Sequence, residues 1–149
     1  MSPEPGRAAT DAPPPPGGLA ARAPKIAPVT ALEGRRVLVV DDSVPVARST
    51  ARLLELFGAR PQAVFSGAEA LRRLEAAAFD LVLLDLNLPD LDGREVLRRA
   101  RALRPGLPAI FVSGLLPTGA LREDGVELLA KPFALSALLA AIEAALAAR

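Results

Sequence analysis

Short apolar runs that each stop at a polar residue constrain this chain most. Arg36-Val37-Leu38-Val39-Val40 ends at Asp41, and Leu81-Val82-Leu83-Leu84 ends at Asp85. Pro108 to Val112 ends at Ser113, and Val126 to Ala130 ends at Lys131. The first two, continuous and without alternation, read as strands buried on both faces, while Pro108 to Val112 and Val126 to Ala130, the latter interrupted by Glu127, read as a fourth and a fifth strand. Arg60 to Phe65 is a weaker strand, and Pro61 points to a sheet edge. Helical patterns fill the gaps. Ser43 can cap a helix with Pro45 in its first turn, Val46, Leu53, Leu54 and Phe57 on one face, and Gly58 at its end. Ser66 with Glu69 forms a capping box before Leu71 and Leu74. Asp92 with Glu95 opens a third helix through Val96, Leu97, Ala100 and Leu103. A short fourth helix is expected within Pro117 to Arg122, although Pro117 and Gly119 disfavour it. The last helix would bury Leu138, Leu139, Ile142 and Leu146. Strand and helix alternate five times, which implies an α/β fold, a doubly wound parallel sheet with helices on both faces.

Residues 1–33 differ in kind. They hold 8 of the 15 prolines, including Pro13 to Pro16, and show no hydrophobic period. Such a segment cannot bury enough apolar surface to offset its chain entropy. A disordered tail or linker is expected over 1–33, with the folded domain over 34–149. Cysteine and histidine are both absent from the 149 residues. Disulfides, thiolate or imidazole metal sites and Ser-His-Asp triads are therefore excluded. With 18 basic and 17 acidic residues the chain has no footprint for nucleic acid. No run of about 20 apolar residues could span a bilayer, and the N-terminus does not read as a secretory signal. A cytoplasmic protein without membrane insertion is expected.

The polar residues at the strand ends carry the chemistry. In an open parallel sheet, sites form at the carboxyl ends of the strands. Four runs thus bring Asp41 and Asp42, Asp85, Ser113 and Lys131 to one edge. Three acids gathered there repel one another and need a cation. Oxygen ligands alone suit a hard ion such as Mg²⁺. Arginine outnumbers lysine 16 to 2, yet Lys131 stands at the last strand end, the only lysine after residue 25. Carboxylate, metal, ammonium and hydroxyl together suit a phosphoryl group. Any one of these residues alone reads as a helix cap or a turn; the ordered set does not.

Over residues 35 to 149 the chain resembles the response-regulator receiver domains of two-component signalling. The matching motifs are Val39-Val40-Asp41-Asp42-Ser43, Asp85-Leu86-Asn87-Leu88-Pro89-Asp90-Leu91-Asp92-Gly93, Ser113-Gly114 and Lys131-Pro132-Phe133. The resemblance implies a flavodoxin-like (βα)5 sheet of strand order 2-1-3-4-5. It implies that Asp85 accepts a phosphoryl group from a phosphohistidine of a histidine kinase or histidine phosphotransfer protein. Mg²⁺ would be bound by Asp42 and Asp85, by Asp41 chiefly through water, and by the Asn87 backbone carbonyl. Ser113 would be the switch hydroxyl, Lys131 would pair with the phosphoryl oxygen, and Pro132 would follow a cis bond. The protein would then switch conformation to control a downstream protein partner. It would be a signalling phosphoacceptor and not an enzyme in the ordinary sense.

The chain also departs from the family. Leu128 replaces the aromatic residue usual three positions before the lysine, so an aromatic swing cannot report phosphorylation. Only 17 residues, 114–130, separate Ser113 from Lys131, which shortens the fourth helix. Switching is therefore expected in the Gly114 to Thr118 loop and the shortened fourth helix. The sequence stops after the last helix, so no DNA-binding or catalytic output domain is expected within it. Met1 suggests a free-standing chain, whereas the Pro-rich tail before Leu32-Glu33-Gly34-Arg35 looks like the linker of a hybrid kinase's terminal receiver. Two other functions compete. One is a degenerate receiver that binds partners without phosphorylation. The other is a phosphohydrolase of the haloacid dehalogenase type, which needs an acid where Asn87 stands and a threonine where Pro89 stands.

Overall fold

The computed structural model describes residues 32–114 and 125–147. Five parallel strands form one sheet: β1 (Arg36–Val40), β2 (Arg60–Val64), β3 (Leu81–Asp85), β4 (Ala109–Ser113) and β5 (Val126–Ala130). Their order is β2-β1-β3-β4-β5. Four helices are described: α1 (Val44–Leu56), α2 (Gly67–Ala76), α3 (Gly93–Leu103) and α4 (Leu135–Ala147). The short helix expected within 117–122 and most of the Pro-rich tail lie outside the described residues. No described helix is long and apolar enough to cross a membrane.

The unalternating strand runs are explained by two cores, one on each sheet face. Leu38, Val40, Val82, Leu84 and Phe111 face α2 and α3, meeting Ala70, Leu74, Val96, Leu97 and Ala100. Val37, Val39, Leu81, Leu83, Ile110 and Val112 face the other way, onto Ala47 and Leu54 of α1 and Leu138, Ala141, Ile142 and Ala145 of α4. Every residue of β3 and β4 is buried because both faces are covered. β2 is the edge, as Pro61 suggested, and it is only half-buried. The chain leaves β1 toward β2 and later enters β3 on β1's other side. The segments after β1 and β3 therefore diverge, which opens a crevice at their carboxyl ends.

Two helix faces differ from the sequence reading. On α1 the buried residues are Ala47, Thr50 and Leu54, while Val46 is 38% exposed. Leu53 and Phe57 are only partly buried. Small residues sit where the helix crosses the sheet, and the first turn of α1 stands over the crevice rim. At the end of α3, Leu103 is 48% exposed. Glu95 also does not complete a capping box. The Asp92 side chain accepts from Arg94 N, and the Glu95 carboxylate accepts from Arg98 and Arg99.

Leu32 falls within the stretch read as tail, yet it is fully buried in the α1/α4 core. Arg35 N donates to Leu32 O at 2.9 Å, and Gly34 N donates to Gly58 O at 2.8 Å, closing a turn under the first core residue. Leu32→Ala is expected to cost about 2 kcal/mol, the low end for a buried leucine, because the site ends the fold and can partly collapse. Urea unfolding checks this. A midpoint within error of wild type would show that Leu32 is not anchored.

Candidate functional site

β1, β3, β4 and β5 end on the same edge, and each delivers a side chain fixed by buried residues behind it. Asp41 follows β1, Asp85 and Ser113 end β3 and β4, and Lys131 follows β5. Asp41, Asp85 and Ser113 are buried, and Asp42 is exposed. The ligand oxygens of Asp41, Asp42 and Asp85 lie within 4.8 Å of one another. Lys131 Nζ donates to Asp41 Oδ2 at 2.7 Å and to Asp85 Oδ2 at 3.2 Å. Burial on its own pushes the Lys131 pKa down. The hydrogen bonds to Asp41 and Asp85, with their charges, outweigh it and hold the pKa above the ordinary lysine value. Lys131 is therefore a fixed cation at neutral pH. The Lys131-Pro132 peptide bond is cis.

Local backbone fixes the carboxylates. Asp41 Oδ1 accepts from Ser43 N at 2.9 Å, and Asp85 Oδ1 accepts from Asn87 N at 3.0 Å. Each is an acid turned back onto the amide two residues on. Ser43 has extended backbone and caps α1 by accepting from Val46 N. Three carboxylates converging with oxygen donors alone fit a hard divalent cation such as Mg²⁺. All six residues singled out from the sequence stand at this edge. Leu128 lies partly buried against the core, in register with Phe111 of β4, and offers no ring to the surface.

The sequence reading missed three contacts. The Asn87 side chain, given no part there, donates from Nδ2 to Ser113 Oγ at 3.0 Å and so ties the β3 end to the β4 end. Gly93 sits so close that a Cβ would lie 2.6 Å from Asp85 O and 2.8 Å from Leu86 Cα. Asp90 accepts from Gly67 N and Ala68 N, each at 2.9 Å. These amides lie 23 and 22 residues upstream, beyond any local spacing signal.

Proteins similar to this chain are numerous. The family model for the response regulator receiver domain matches residues 37–143. The transcriptional regulatory protein PrrA of Mycobacterium leprae is 36% identical over 124 residues, covering 80% of this chain and 53% of PrrA. The response regulator receiver protein CpdR of Brucella abortus is 34% identical over 114 residues, covering 73% of this chain and 94% of CpdR. A response regulator receiver protein from Sinorhizobium medicae superposes with a TM-score of 0.70 at 30% identity, covering 78% of this chain and 98% of its own. The chain spans about half the length of PrrA, the first of the curated relatives it matches.

The chain belongs to the response regulator receiver domain family. Members are signalling phosphoacceptors that bind Mg²⁺ at a cluster of acidic residues. They interact with histidine kinases or phosphotransfer proteins and with output domains.

Proposed function

We propose that this receiver accepts a phosphoryl group on Asp85 from the phosphohistidine of a histidine kinase or phosphotransfer protein and thereby controls a downstream protein partner. The observation that carries the reading is the buried Asp85 carboxylate, held by Lys131 beside Asp41 and Asp42. An Asp85 oxygen forms the new P–O bond as the P–N bond to the donor imidazole breaks, and the imidazole nitrogen leaves with the bonding pair. Asp41, Asp42, Asp85 and the Asn87 carbonyl would hold Mg²⁺, which would neutralise the phosphoryl oxygens when bound. Lys131 holds a positive charge at the same place, so charge developing on those oxygens meets a preorganised donor. Ser113, steadied by Asn87, supplies a hydroxyl at the end of β4. Movement of Ser113 toward the new phosphoryl group would pull on the segment that follows it. With the partly buried Leu128 where a ring would stand, the readout does not depend on a swinging ring.

Incubation with acetyl phosphate and Mg²⁺ tests the reading by intact mass. Wild type is expected to gain one phosphate, and Asp85→Asn none. Labelling that persists in Asp85→Asn, or that needs no Mg²⁺, would overturn it.

A further inference from the structure

The loop between β3 and α3, residues 86–92, carries the Asn87 carbonyl and must hold its shape for the site to hold an ion. It is fixed at both ends. Asn87 N donates to Asp85 Oδ1, Gly93 N donates to Leu86 O at 2.9 Å, and Asn87 bridges Asp92. Its middle is held from outside. Asp90 Oδ1 accepts from Gly67 N and Oδ2 from Ala68 N, the first two amides of α2. The third amide, Glu69 N, donates to Ser66 Oγ at 3.1 Å. Two side chains thus cap one helix. Ser66 belongs to the helix's own strand exit, whereas Asp90 comes from the loop beside the acidic site.

We infer that Asp90 is a positioning residue for the acidic site: by clamping the first two amides of α2, its carboxylate fixes the loop that presents Asn87 beside Asp85. This rests on the reading of that site as an Mg²⁺-holding phosphoacceptor. The same bonds, Gly67 N first and Ala68 N next, keep the Asp90 pKa below its ordinary value, so the clamp stays ionised at neutral pH. The α2 terminus presses on the loop a second time, since a Cβ at Gly67 would lie 3.0 Å from the Leu91 Cβ. Coupling between two bonded elements is reciprocal, so an ion at the site also steadies the start of α2.

Asp90→Ala, Asp90→Asn and Ser66→Ala test the inference together. Ser66→Ala removes a cap from the same helix without touching the loop, so it isolates a purely structural effect. In the metal-free protein, Asp90→Ala is expected to speed amide exchange at Asn87 and Gly93 roughly fivefold, the scale of a lost cap. Its Mg²⁺ affinity should fall about tenfold, as when an outer partner of a metal ligand is removed. Ser66→Ala should lower the thermal midpoint comparably yet leave both readings at wild type. Asp90→Asn should fall between, because one carbonyl oxygen replaces two acceptors. If Asp90→Ala and Ser66→Ala match in exchange and in Mg²⁺ affinity, Asp90 is a cap and nothing more. If wild type binds no Mg²⁺, the phosphoacceptor reading fails, while exchange at Asn87 and Gly93 still decides the role of Asp90.

Discussion

Gly93→Ala is expected to cost about 3 kcal/mol or more of stability and to displace Asp85. The added Cβ would lie 2.6 Å from the Asp85 carbonyl oxygen and 2.8 Å from Leu86 Cα. Both are backbone atoms at the end of a strand buried along its whole length, so neither can swing aside. Moving Gly93 away stretches its bond from N to Leu86 O. Alanine does favour the first turn of a helix and restricts the unfolded chain, but that gain is about 0.4–1 kcal/mol. The clash is larger, so the sign is destabilising. Urea unfolding checks the stability, and Mg²⁺ titration of the folded fraction checks the site. Stability at or above wild type would mean that the loop shifts freely and that Gly93 does not set its path.

The two kinds of signal that made this fold legible are local. A strand covered on both faces has no choice but to be apolar throughout, so β1, β3 and β4 stand out, and the polar residue that ends each run marks the sheet edge. The candidate site was legible for the same reason, because Asp41, Asp85, Ser113 and Lys131 are the residues that stop those runs. What was not legible depends on orientation or on distant partners. A periodic pattern ranks side chains by size, yet α1 buries Ala47 and Thr50 against the sheet and leaves Val46 at the rim. Leu32 is a single anchor with no repeat to announce it. Asp90 reads as one more turn residue until the fold brings the start of α2 to it. Gly93 reads as a turn glycine until β3 and α3 are seen to touch there.

Lys131 is expected to separate metal binding from phosphoryl transfer. Its Nζ is one compact charge serving two carboxylates, 2.7 Å from Asp41 and 3.2 Å from Asp85. Lys131→Met leaves three converging carboxylates without that cation. Breaking a fully buried pair costs about 3–5 kcal/mol. The Lys131 side chain is 27% exposed, so a smaller loss, about 1–2 kcal/mol, is expected here. A divalent ion can restore the missing positive charge, so Mg²⁺ should raise the thermal midpoint of Lys131→Met more than that of wild type. It cannot restore the donor that would meet a phosphoryl oxygen on Asp85, so labelling of Asp85 should slow about 100-fold, the scale of one lost oxyanion donor. Lys131→Arg keeps the charge, but the guanidinium is longer and planar and cannot put it at the same point between the two oxygens. A loss of about tenfold is expected, again with Mg²⁺ binding retained. The rate of acetyl phosphate labelling, measured beside thermal melts with and without Mg²⁺, reads both effects. Wild-type labelling in Lys131→Met would remove the lysine from the transfer step. A midpoint that Mg²⁺ fails to raise would show that the three carboxylates do not form the ion's site.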